Sequence, residues 1–167
     1  MAKTNYKEVL ECIGPNRNIV LELKDISSPL KAVKNSYNIG AEILKIKKSG
    51  WYEREFSYNA LDGSFRYIVE YTQRADELDQ YAQRKFTVEM TGKQPLNKNE
   101  TGWIKIVINA KLELNFSFSG LSASPFFQSM FKVWKKLFYD KKVRERYLKE
   151  CYFLAMQLRE KFAEILR

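Results

Sequence analysis

Every second position from residue 104 to 118 is apolar. Ile104, Ile106, Ile108, Ala110, Leu112, Leu114, Phe116 and Phe118 hold the even positions, and the odd positions are mostly polar. Period two sustained this far, with no Gly or Pro, predicts one long strand with one buried face. At about 3.3 Å per residue it would span roughly 50 Å, so it has to coil or bend to stay on one small domain. Shorter alternations predict a strand at 19–24, with Ile19, Leu21 and Leu23 on one side, and a strand at 84–91, with Phe86, Val88 and Met90 inward. Residues 51–60 put Tyr52, Phe56 and Tyr58 on one face, and 64–72 put Phe65, Tyr67, Val69 and Tyr71 on one face. Asp62-Gly63 between them is a tight-turn signal, so the two segments read as a β-hairpin. The polar stretches 73–83 and 92–102 read as loops. Residues 3–13 stay open: Tyr6, Val9, Leu10 and Ile13 fit one helical face, yet the stretch also alternates tolerably as a strand.

Helical spacing appears twice. Ser28-Pro29 supplies an N-cap and a proline at the first helical position. The helix that follows should face Leu30, Val33, Tyr37, Ala41 and Leu44 inward, with Gly40 weakening its middle and dividing it in two. Ser124-Pro125 repeats the start signal, and no Gly or Pro follows it to Arg167. The apolar phase runs through Phe127, Met130, Phe131, Trp134, Leu137 and Phe138. It then slips to Val143, Tyr147, Cys151, Leu154, Leu158, Phe162 and Ile165. The slip predicts two helices or one kinked helix, broken near residue 140, with Asp140 capping the second part. No repeat, low-complexity tract or linker divides the chain, so residues 1–167 read as a single α+β domain. A curved antiparallel sheet of about five strands would cover its apolar face with the long C-terminal helix.

The order of elements is a short strand, one or two short helices, a meander of antiparallel strands and a long terminal helix. It resembles the START-like helix-grip superfamily, which includes polyketide cyclase-like and coenzyme Q-binding proteins. The resemblance spans about residues 18–166 and is topological; no short motif carries it. The chain departs from the pattern in having fewer clear strands and a longer terminal helical region. The resemblance implies a lipid-like or aromatic molecule held in an apolar cavity between sheet and last helix, and it transfers no catalytic residue.

Composition narrows the chemistry. The 167 residues include no histidine, which excludes Ser-His-Asp and Cys-His catalysis and His-ligated zinc. Cys12 and Cys151 stand 139 positions apart without CxxC partners, so they read as two thiols and as neither metal site nor disulfide framework. The start of the chain shows no apolar signal region, no apolar run approaches a membrane span, and a reduced, cytoplasmic protein is the expectation. No phosphate-binding or nucleophile-elbow motif occurs. The strand carboxylates, Glu53 and Glu55 among them, read as solvated. No catalytic residue, metal or cofactor is indicated, and a non-enzymatic binding protein is the leading expectation.

Two groups of residues remain as candidate sites. Among 11 Phe, 10 Tyr and 3 Trp, a ligand cavity would be lined by Tyr52, Phe56, Tyr58, Tyr67, Tyr71, Phe116 and Phe118, with Trp134 from the helix. Tyrosines on an inward face need hydrogen-bond partners, which a wet or occupied pocket supplies. The occupant would be an apolar or aromatic small molecule or a lipid. The second group is charge. The net charge is +9, and +6 of it falls within residues 132–149. Lys132, Lys135, Lys136, Lys141, Lys142, Arg144 and Arg146 are the candidate contacts of helix 126–149 with an anionic surface, either membrane or nucleic acid.

Overall fold

The structure is a computed structural model that describes residues 3–14, 17–77 and 79–167. Among these, six strands form one antiparallel sheet: β1 (Lys3–Glu11), β2 (Ile19–Ile26), β3 (Trp51–Tyr58), β4 (Ser64–Asp76), β5 (Asp79–Lys93) and β6 (Gly102–Ser119). β6 is the spine. One of its edges pairs with β5 from Trp103 to Leu114. Its other edge pairs first with β2, through Ile19↔Ile108, and then with β1, through Glu11↔Lys111. β4 and β3 extend the sheet beyond β5. The alternation read from the sequence is realised: Ile104, Ile106, Ile108, Ala110, Leu112 and Leu114 are fully buried and Phe116 nearly so.

Residues 3–11 are strand, which settles the open reading. Their even members lie opposite even members of β6, as in Tyr6↔Phe116 and Glu8↔Leu114, so Tyr6 and Glu8 share the sheet's concave face. The stretch 73–83, expected to be a loop, instead extends both β4 and β5, which pair as far as Asp76↔Asp79; Leu78 lies outside the described residues. Its polar residues are used internally. Gln73 Nε2 donates to the Leu44 carbonyl at 2.6 Å, and buried Arg84 is bonded to Glu150. At the other end of β4, Gly63 (φ +77°) completes the expected hairpin turn.

The first helical segment is divided, but not where glycine suggested. α1 (Leu30–Lys34) and α2 (Ser36–Leu44) part at Asn35. Gly40 lies inside α2, where a Cβ would strike the ring of Tyr71. Its missing side chain lets α2 lie close on β4.

The C-terminal helix, α3, runs over residues 125–166. Ser124 caps it, its hydroxyl accepting from the Phe127 N–H, and Pro125 occupies the first turn. It does not break at residue 140. Asp140 keeps helical angles (φ −63°, ψ −31°) and accepts from Lys135 Nζ rather than capping. Two π-turns, Lys135–Tyr139 and Val143–Tyr147, absorb the slip. Tyr139, Val143, Tyr147, Cys151 and Ala155 are all buried at spacings of four. In a straight α-helix each such step drifts about 40° around the axis, so the stripe would leave the sheet. The wider π-turns unwind that drift. They bring the hydroxyls of Tyr139 and Tyr147 to one oxygen of buried Asp79, at 2.9 and 2.8 Å.

Cys12 and Cys151 are bonded to each other, with Cα atoms 5.8 Å apart. The free-thiol reading is therefore corrected. The loop after β1 turns inward beside β6, where the Cys12 N–H reaches the Ala110 carbonyl at 2.9 Å, and α3 presents Cys151 to the same place. With the bond formed, the reduced compartment inferred from two distant cysteines loses its premise, because such bonds persist where thiols are not kept reduced. Among the described residues no helix is long and apolar enough to cross a membrane.

Candidate functional site

The space between sheet and α3 is divided unequally. Along residues 139–166 it is filled. Tyr67, Tyr71, Phe86, Met90, Tyr147 and Phe162 are fully buried against one another's elements. The two buried β4 phenols find partners without a ligand: Tyr67 Oη and Ser36 Oγ are 2.9 Å apart, and Tyr71 Oη donates to the Ser36 carbonyl at 2.8 Å. Burial pushes the Tyr67 hydroxyl up to about 12, against the Ser36 hydrogen bond, and lifts Tyr71 still further.

An open groove of roughly 500 Å³ lies instead between β1, the end of β6 and the first half of α3. Its floor is aromatic. Phe131 meets Phe118 and Phe116 edge-on, each at 4.8 Å between ring centres, and Tyr6 stands 6.4 Å from Phe131. Its rim is cationic, with Lys132, Lys135, Lys136 and Arg144 against one carboxylate, Asp140. Lys135 is fixed: its ammonium lies 2.6 Å from Asp140 and 2.7 Å from Glu8, and 5.7 Å above the Tyr6 ring. Burial works against its charge, but the two carboxylates outweigh burial and hold its pKa above the ordinary lysine value. Lys132, Lys136 and Arg144 have no ion pair among the described residues and remain available to an anion.

The aromatic candidates do not converge on one cavity. A β-bulge at Arg54, between the pairs Glu53↔Val69 and Glu55↔Ile68, reverses the faces of β3 midway. Tyr52 therefore lies on the outer face opposite Glu70, with the Arg54 guanidinium over its ring at 5.4 Å. Phe56 and Tyr58 follow on the inner face, opposite Tyr67 and Phe65, but are half exposed because β3 is the sheet's edge. Phe56, Tyr67, Trp51 and the inward Glu53 line a second pocket of roughly 410 Å³ under α1 and α2. The bulge turns Glu53 to the inner face at this open edge, where it stays exposed, in keeping with its reading as solvated. Phe116 is buried beneath the groove and Phe118 lines it, while Trp134 stacks on Tyr139 at 5.2 Å, outside it.

The expected charged contacts also divide. Lys135 is engaged as above, Lys142 lies 3.9 Å from Asp76 and Asp79, and Arg146 is held by Asp76 and Glu150 at 3.1 Å each. Lys132, Lys136, Lys141 and Arg144 point outward without carboxylate partners among the described residues. Sequence reasoning missed Thr4, Asn5, Tyr6, Gln128 and Phe131 as groove residues. The even-numbered parity that β1 shares with β6 was a signal for Thr4 and Tyr6, but the helical alternative obscured it.

No family model matches the chain, and no curated protein matches it. Solved structures with loosely similar arrangements include a protein of unknown function, SA2116, from Staphylococcus aureus, 10% identical with a TM-score of 0.28, covering 95% of this chain and 98% of that one. Ara h 8.0201 is 10% identical at a TM-score of 0.22, over 98% and 99% of the two chains. A point mutant of norcoclaurine synthase from Thalictrum, in complex with a transition-state analogue, is 10% identical at 0.22, over 95% and 98%. At scores this low the likeness carries no argument about fold or function.

Proposed function

We propose that this protein is a non-enzymatic binding protein for an acidic, lipid-like molecule, taken between the sheet and the C-terminal helix. The groove carries the reading, because it joins an aromatic floor at Tyr6, Phe118 and Phe131 to Lys132, Lys136 and Arg144, three cations with no ion pair among the described residues. An apolar body would displace water from the rings, and an acidic head would meet charge-assisted donors at the rim. The ionisable groups suit binding better than proton transfer. Lys135 is held charged by Asp140 and Glu8, so it is no general base.

Fluorescence titration with dansyl-undecanoic acid tests this. Saturable binding is expected, weakened at least about tenfold in the Lys132→Glu/Lys136→Glu/Arg144→Glu triple variant, since each reversal turns an attraction into a repulsion. A titration that never saturates, or a triple variant that binds like the parent, would defeat the reading.

A further inference from the structure

The first half of α3 carries its large apolar residues outward. Phe126 is 69% exposed, Phe138 66%, Leu137 60% and Val133 58%, with Met130, Phe127 and Trp134 close behind. No residue of Pro125–Trp134 is buried. Phe131 turns in toward the sheet, onto Phe116 and Phe118. At about 100° per residue, Phe126, Phe127, Met130, Val133 and Trp134 fall on one solvent-exposed arc of roughly 120°, whose Phe127, Met130 and Trp134 border Phe118 at the end of β6. A contiguous aromatic surface of this kind signals a partner.

We propose that this face docks on an anionic lipid bilayer, with the helix lying in the plane of the interface. Charge selects that occupant. Lys136, Lys141 and Arg144 lie beside the arc and have no carboxylate partner among the described residues. The acidic Asp140 in the same stretch is spent on Lys135. An amphipathic helix with Phe and Trp on one face and cations beside it buries its rings at the headgroup boundary, while the cations meet acidic headgroups. A second copy of the chain would bring this cationic stretch against itself. A nucleic acid would take the cations and leave the rings in water. The inference does not need the groove to be occupied, although the rim residues Lys136 and Arg144 border both surfaces.

Vesicle co-flotation of the intact, oxidised chain is the test, with phosphatidylcholine vesicles and with the same vesicles doped with phosphatidylglycerol. The protein is expected to float with the doped vesicles only, and less at high salt. Phe126→Ser/Phe138→Ser should weaken flotation at least about tenfold, through lost ring insertion, with no change in thermal unfolding or in binding of dansyl-undecanoic acid. Lys141→Glu, outside the groove, should also weaken it. Either of two results overturns the proposal: no flotation with doped vesicles, or flotation that survives both sets of substitutions. So does a parent dimer in sedimentation that dissociates in the Phe variant while vesicles are ignored. Loss of dansyl-undecanoic acid binding with flotation intact would strike the groove reading alone.

Discussion

One helix, α3, leads two different lives. Its second half, Leu148–Leu166, lies on the sheet with Cys151, Ala155, Leu158 and Phe162 fully buried. Its first half is richer in aromatics, yet it buries none of the residues of Pro125–Trp134. Both halves are amphipathic, and both would be read as core-facing from spacing alone. The difference is where the sheet ends. β6 stops at Ser119, so α3 begins beyond the rim, where Phe131 packs on the strand rings Phe116 and Phe118 while its neighbours stay exposed. Amphipathicity shows that a helix has a face to cover; the neighbouring elements decide whether the chain covers it.

The contrast can be broken by substitution. Phe162→Ala on the gripped half is expected to cost about 3–5 kcal/mol, as transfer energy and cavity are lost together, read as a lower denaturant midpoint. Removing the Cys12–Cys151 bond with serines should cost about 3 kcal/mol, because it closes a long loop in the unfolded chain. Hydrogen exchange should then quicken in residues 148–166 and stay unchanged in 125–134; uniform quickening would contradict the division. Alkali should act on the gripped side as well. Burial raises Tyr139 and Tyr147 above the ordinary phenol value, and their hydrogen bonds to Asp79 raise them further. Burial takes Tyr67 up to about 12. The fold favours the protonated phenols, so this stability is complete below the unfolded value of about 10 and is lost as pH rises through the folded values. The denaturant midpoint should fall above about pH 10 as tyrosinate absorbance appears, and a flat midpoint there would count against the buried cluster. Smallest of all, Phe138→Ala on the exposed half should change stability by less than about 0.5 kcal/mol.

Legibility in the sequence followed the type of residue on the inner face. β6, β2 and the middle of β5 were readable because their inward residues are apolar and alternate. The β4–β5 extension was not, because its inward positions hold Gln73 and Arg84, and its sequence looks like a loop. Arg84 is buried and Gln73 half-buried against partners distant in sequence, Glu150 and the Leu44 carbonyl. The bulge at Arg54 was invisible for another reason: one extra residue in β3 changes which face Tyr52 takes without altering the local pattern. Of the groove, the cations Lys132, Lys135, Lys136 and Arg144 and the ring of Phe118 were legible as residues of interest. That they share a groove was not.

Local pattern by itself determined the α+β class, the long one-faced strand β6, the hairpin turn at Asp62-Gly63, the capped start of α3 at Ser124-Pro125 and the concentration of positive charge in 132–149. These depend on backbone stereochemistry and on the period at which side chains return to one face, both set by near neighbours in the chain. Only the tertiary structure decided that Cys12 meets Cys151, that π-turns bring Tyr139 and Tyr147 to one carboxylate, and that the aromatic start of α3 faces outward. Each of these depends on where a second element ends or turns, which no periodicity within the first can encode.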